Sequence, residues 1–400
     1  MARSIRPGRF VKPSVLRHLD HHLLLQLLEP FAAALAVRGV VIERGREHDF
    51  AALGRVLMHP DEDTPIELIE ALCLIHAVSA DETYDQLRDE AKRAGIAIDG
   101  DLPAPDLALR VFLADRTIIE RMHAERLSVK PRKFESFITS VEPAPRIGLP
   151  ADADVQALQT GLGADFFDNH RGRGVRIFPF QTQTGFRMLV RRGGTLKREV
   201  TIDADGETRS IVFRPEGYDV VRYNGQTGEL SVNAPVKRDV RAYCSLVGRH
   251  IFGDSLLFDA DSPGRKFSLR PIIEKGPECL RCEDCPGIIS VRLTSVSWEH
   301  DDDLDAGETL RSEDVFETLR RSGREIPRYA RLAAGVFKIT IRVDGAADHE
   351  VPLRIRPPNA AYYDREDHPE LLEQWMVQQR FARSREEALR GVTARLLAIP

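Results

Sequence analysis

Residues 196–214, LKREVTIDADGETRSIVFR, and residues 218–232, YDVVRYNGQTGELSV, decide how the middle of this chain folds. Each places short runs of alternating apolar and polar side chains on either side of Asp-Gly, or of Asn-Gly and Thr-Gly. Period-two runs joined by residues that tolerate positive φ predict β-hairpins. FKITIRVDGAADHEVPLRI at 337–355 repeats the pattern. Residues 171–358 therefore read as an antiparallel β-rich domain, a meander or a barrel, and not as a parallel nucleotide-binding sheet. Two inserts with helical spacing interrupt it, KRDVRAYCSLVGRHIFG (237–253) and RSEDVFETLRRSG (311–323), the second with Ser312 as its cap.

Upstream, the apolar period changes from two to that of a helix. Leu16, Leu19, Leu23 and Leu27 follow Ser14, a candidate N-cap; Pro30 interrupts and Gly39 supplies a stop. In PIELIEALCLIHAVSA (65–80), Ile66, Ile69, Leu72, Cys73 and His76 share one face, which places Cys73 in a core. Asp81 is positioned to cap the next helix, which Gly95 ends, and a further helix follows Pro105. These segments define a helical domain at 1–137, and three prolines and three glycines within 138–165 mark 138–170 as a linker with room for one short helix. Residues 359–400 return to helix, with Leu371, Leu372, Trp375 and Met376 on one face and Ser384 with Glu387 as a capping box. The fold class expected is α+β and multidomain.

With 400 residues, 42% of them hydrophobic, the chain can bury two or three cores. No apolar run reaches the roughly 18 residues of a membrane span, and no apolar segment of signal-peptide type follows the basic start, so no membrane partner is expected. Five cysteines, an odd number, fit a reducing cytoplasm better than a disulfide framework. The net charge of −5 argues against a globally electrostatic nucleic-acid binder. Only nine of the 57 basic residues are lysine. Arginine abundance of that kind reflects coding bias as readily as phosphate binding.

Three of the cysteines, Cys279, Cys282 and Cys285, fall in GPECLRCEDCPG (276–287) at the spacing that lets thiolates in a tight turn share one ion. Zinc is the one cofactor this suggests, with Cys244, His250 or His300 as a fourth ligand. The alternative reads SLRPIIEKGPECLRCEDCPGIISVRLTSVSW (268–298) as strand, turn, strand, turn, strand, which would separate the thiols. His18 and His22 stand four apart, but no HExxH glutamate accompanies them. GxSxG, Walker and dinucleotide-binding patterns are absent. A helix-turn-helix at 66–95 would present an acidic reading helix, a poor match to a major groove.

The second candidate is RGRGVRIFPFQTQTGFRMLVRRGGTLKR (171–198). It carries Arg171, Arg173, Arg176, Arg187, Arg191, Arg192, Lys197 and Arg198, interleaved with Phe178, Phe180 and Phe186, and no acidic residue. Cations beside aromatics on a sheet suit phosphate contacts and base stacking. The function expected is that of a non-enzymatic cytoplasmic binding or adaptor protein. It would engage nucleic acid through this segment and a protein partner through its helices. The alternative is a metal-dependent hydrolase or nuclease using the cysteine cluster or Asp254, Asp259 and Asp261.

Overall fold

A computed structural model describes residues 10, 12–42, 48–59, 64–98, 100–130, 133–139, 141, 143–202, 206–258, 260, 266–299, 307–342, 347–364 and 368–383. The chain divides into two compact units, Met1–Arg126 and Leu127–Pro400. Among the described residues no helix is long and apolar enough to cross a membrane.

The first unit is helical: α1 (Pro13–His18), α2 (His21–Leu28), α3 (Ala32–Val37), α4 (Phe50–Met58), α5 (Ile66–Val78), α6 (Tyr84–Arg93), α7 (Ala104–Ala114) and α8 (Arg116–Val129). Its core gathers Leu16, Leu23, Leu27, Leu53, Leu68, Leu72 and Leu107. Several local expectations need correcting. Pro13 opens α1, so Ser14 is inside the helix; the working cap is Asp20, which accepts the N–H groups of His22 and Leu23 (2.8 and 3.1 Å) and starts α2. His18 and His22 thereby stand on different helices and share no face. The buried face of α5 is Leu68, Ile69, Leu72 and Ile75, rotated away from Ile66, which is 49% exposed. Asp81 lies in a 3-10 turn instead of capping α6.

The second unit is built on one ten-stranded antiparallel sheet. In chain order its elements are β1 (Lys133–Ile138), α9 (Asp152–Asp168), β2 (Val175–Thr182), β3 (Gly185–Gly193), β4 (Lys197–Ile202), β5 (Thr208–Phe213), β6 (Glu216–Asn224), β7 (Glu229–Asn233) and α10 (Lys237–Phe252). Then follow α11 (Arg270–Lys275), β8 (Ile288–Glu299), β9 (Gly307–Arg311), α12 (Val315–Ser322), β10 (Arg331–Ile341), β11 (His349–Arg356), β12 (Ala360–Tyr362) and α13 (Pro369–Gln378). The strand order is β2-β3-β6-β7-β1-β12-β11-β10-β8-β9. The sheet is open, since β2 and β9 are its free edges; the barrel alternative does not hold.

All three expected hairpins form, as β4–β5, β6–β7 and β10–β11. Asn224 shows why one of them turns where it does: its side chain accepts the N–H groups of Gln226 and Thr227 (2.9 and 3.3 Å), an Asx turn. The stretch expected as a linker carries the 17-residue α9, and β1 joins the sheet. In α12 the cap is Asp314, which accepts the Glu317 N–H at 3.1 Å, in place of Ser312. Ser384 and Glu387 lie outside the described residues.

The sheet has two halves covered on opposite faces. In β1, Phe137 pairs with Leu230 and belongs to the core formed with α9 and α10. Its neighbour Phe134 points the other way and pairs with Ala361, which belongs with Ile355 and Leu353 to the core formed with α13. Helices α9 and α10 therefore cover one face of β2-β3-β6-β7-β1, and α11 to α13 cover the opposite face of β12-β11-β10-β8. Where each helix layer stops, the sheet runs on beside it and leaves a groove.

One part stands apart from both cores. Strands β4 and β5 prolong the β3–β6 ladder as a two-stranded ribbon beyond Gly193, where a side chain would sit 2.5 Å from the Arg171 carbonyl oxygen. Val200, Ile202 and Ile211 on this ribbon are 59%, 73% and 50% exposed.

Candidate functional site

The basic stretch 171–198 is dispersed by the fold. Arg192 lies on the buried face of β3 and donates from Nε and Nη2 to both oxygens of Asp219 on β6 (2.5 and 2.9 Å). Tyr243 of α10 donates to the same carboxylate at 2.9 Å. Burial and the Asp219 charge hold the Tyr243 phenol well above its ordinary pKa, which keeps it a donor. Arg171 pairs with Asp239 in the first turn of α10, and the Phe166 ring lies 5.8 and 5.6 Å from the two guanidinium carbons. Two arginines and two aspartates thus alternate in a neutral buried cluster.

The remaining cations of the stretch are used on the opposite sheet face, on the ribbon and, for Arg173, against the end of α9. Arg176 and Arg191 lie over the Phe178 ring (4.8 and 5.9 Å) and Arg187 over Phe180 (5.7 Å). Arg191 also faces Glu216 at 3.4 Å, and Arg173 stacks on Phe167 at 4.1 Å. Lys197 and Arg198 stand on the ribbon, where Arg198 donates to the Ser210 hydroxyl (2.7 Å). Phe178 and Phe180 are buried, and Phe186 is in the core with α9 and α10. These rings are engaged by the protein itself, so the stretch does not present them to a base.

The cysteine segment is not a strand. Pro271 opens α11, residues 276–280 form a 3-10 turn, and Gly287 (φ 101°) admits the chain to β8, where a side chain would meet Leu371 Cδ1 at 3.1 Å. Cys279 and Cys285 are buried in the α13 core and Cys282 is half-buried beside them. Cys285 Sγ donates to Gln378 Oε1 at 2.6 Å, and Trp375 Nε1 donates to the Arg281 carbonyl at 3.0 Å. Burial pushes the Cys279 thiol up to about 12 and raises the other two as well. Among the described residues no group of three His, Cys, Asp or Glu side chains is placed to hold a metal ion. Of the candidate acids, Asp254 accepts the Leu256 N–H at 2.8 Å, and Asp259 and Asp261 lie outside the described residues.

A different set of cations comes together on the open face of the second half-sheet. Across β1, β12 and β11 one row reads Lys133, Tyr362, Arg354 and the next Glu135, Ala360, Arg356. The charged ends of Lys133, Arg354 and Arg356 lie 6.0, 5.8 and 5.9 Å from the centre of the Tyr362 ring. Arg354 Nε is buried and has no hydrogen-bond partner among the described residues. Further along the same face Arg292 and Lys338 stand opposite each other, and both pair with Glu350. Five cations face two carboxylates. Where this face meets α10, Lys133, Lys237, Arg241, Arg356 and Tyr362 line a groove of about 480 Å³ whose one acidic member among the described residues is Glu135. A concave surface lined by one sign of charge focuses potential toward anions. These residues come from four distant stretches, so no local charge run announces them; the one sequence signal is the alternation in LRIR, 353–356, which sets Arg354 and Arg356 on one strand face.

A second ionic cluster occupies the other face. Lys266 Nζ donates to both oxygens of Glu229 (2.7 and 2.6 Å), and the Ser231 hydroxyl donates to Oε1 at 2.9 Å. Burial alone would raise this carboxyl, but the Lys266 charge and the Ser136 and Ser231 hydroxyls outweigh it and hold it down to about 2, from an ordinary 4.5. A depressed acid contributes stability above its unfolded pKa and loses it as the pH falls through the folded value. Urea unfolding should therefore lose about 3 kcal/mol through Glu229 between roughly pH 4.5 and 2. In Glu229→Gln the slope over that window should be shallower by about one proton; an unchanged slope would contradict the assignment.

The chain matches no protein-family model, no curated protein and no solved structure.

Proposed function

We propose that this chain is a non-enzymatic binding protein that engages nucleic acid through the open face of the second half-sheet and a protein partner through its helical first unit. The observation that carries the first part is the excess, among the described residues, of five cations over two carboxylates on one sheet face, with Lys133, Arg354 and Arg356 gathered around Tyr362 and Arg292 and Lys338 further along. Arg354 and Arg356 have no carboxylate partner among the described residues, which leaves both able to pair with an anionic ligand. Phosphodiesters supply regularly spaced anions, and a half-buried tyrosine among the cations offers a stacking surface. Relative to the reading from residues 171–198, this moves the interface to a face on which Arg354 and Arg356 form no ion pair among the described residues. For the partner-binding part, support comes from Val37, 79% exposed at the end of α3.

Fluorescence anisotropy with single- and double-stranded oligonucleotides over a salt series tests the nucleic-acid reading. Binding at about 50 mM salt should weaken steeply as salt rises. The double variant Arg354→Gln/Arg356→Gln should lose about tenfold or more in affinity and reduce the salt slope by roughly one to two. Lys197→Gln/Arg198→Gln on the ribbon should bind as wild type. Absence of binding at about 50 mM salt, where phosphate contacts are strong, refutes the proposal.

A further inference from the structure

The two grooves beside the helix layers differ in chemistry. On the α13 side a cavity of about 490 Å³ has Arg187, Arg222 and Ser231 on its floor, Lys266 and Glu373 in its wall and Arg383 at its rim. The register aligns Arg187 on β3, Arg222 on β6, Ser231 on β7 and Ser136 on β1 in a single row across the sheet. Two arginines directly opposite each other on neighbouring strands form a like-charge pair, whose repulsion an anion above Arg222 would offset. The carboxylates of the groove are already engaged: Glu229 holds Lys266, and Glu373 accepts the Tyr363 hydroxyl at 2.5 Å. Arg222 forms no ion pair among the described residues; its guanidinium lies 5.8 Å from the Phe134 ring centre, and that ring is 1% exposed. A guanidinium placed over a ring in this way keeps its N–H groups for acceptors.

We infer that this groove is a binding site for a small dianion bearing a phosphate group. The tetrahedral oxygens of one phosphate can take N–H donors from adjacent guanidinium groups together. A linear dicarboxylate spreads its two charges apart and matches the paired arginines less well. The volume falls in the range of small-molecule sites and is closed on one side by α13, which a polymer would have to pass. The site is separate from the proposed nucleic-acid face, on the other side of the sheet.

Isothermal titration of the full chain at low ionic strength, with inorganic phosphate and with phosphoserine, tests this, using succinate as the charge-matched control. Saturable binding of at least one phosphate compound is expected, and whichever binds tighter shows whether the free ion or a phosphomonoester is preferred. Arg222→Gln should weaken binding by about tenfold or more. Arg222→Lys, which keeps the charge but not the fork, should retain part of the affinity, and Arg198→Gln on the ribbon should change nothing. The inference is overturned if neither phosphate compound binds, if succinate binds as tightly, or if Arg222→Gln with a native circular dichroism spectrum binds as wild type.

Discussion

Asp219→Ala is expected to cost the folded state about 3–5 kcal/mol, measured by urea unfolding near neutral pH. The carboxylate is fully buried and receives three donors, two from Arg192 and one from Tyr243. Its removal leaves a guanidinium that is 7% exposed without its main counter-charge, and the nearest substitute, Asp239, stands 4.0 Å from Nη2 and already serves Arg171. The loss is therefore that of a stranded charge, not of one hydrogen bond. Two companions sharpen the test. Asp219→Ala/Arg192→Met removes both charges and should recover much of the stability. Glu216→Ala deletes the exposed partner of Arg191, an ion pair with exposures of 38% and 52%, and should cost about 1 kcal/mol or less. A loss below about 1 kcal/mol for Asp219→Ala would mean that the cluster is not the closed network described.

Trp375→Ala is expected to be comparably damaging, about 3–5 kcal/mol, because it empties the centre of the α13 core. The indole is fully buried, stacks on Phe381 with centres 5.2 Å apart and meets Phe337 edge-on at 5.6 Å. It also ties α13 to the cysteine segment through Arg281. That link gives a second readout. In the wild type, Cys279 and Cys285 should react slowly with an aromatic disulfide reagent, since burial keeps both thiols protonated. In Trp375→Ala their labelling should accelerate well beyond that of Cys73 in the first unit. Equal rates in both proteins would show that the segment is held by something other than the tryptophan.

The hairpins were legible because their information is local: alternating side chains and an Asx-Gly or Thr-Gly turn suffice. The same holds for α10 and α12, whose apolar faces recur at helical spacing. The seam of the sheet was not. KFESFI (133–138) follows a helix and has no turn signal of its own; it is a strand because β7 and β12 pair with it. The pairing of charges is non-local for a similar reason. The stretch 171–198 looks unopposed in sequence, yet its counter-charges sit at Asp219 and Asp239, and the cations that remain available were scattered at 133, 292, 338, 354 and 356. In the cysteine segment, Ile272 and Ile273 suggest a strand, but Pro271 fixes φ for a helical first turn and Gly276 ends it. Spacing alone told nothing about which thiols would be buried.

Strand β1 has a consequence for how the chain reaches this state. As the polypeptide leaves the ribosome, residues 133–138 emerge with neither neighbour available; one arrives with residues 229–233 and the other only with 360–362. Until then any partly built sheet presents a bare edge, the kind of surface on which nascent chains pair with the wrong neighbour. Joining the halves is thus a late, long-range event, and the long loop it must close predicts slow maturation and a dependence on chaperones while synthesis is under way.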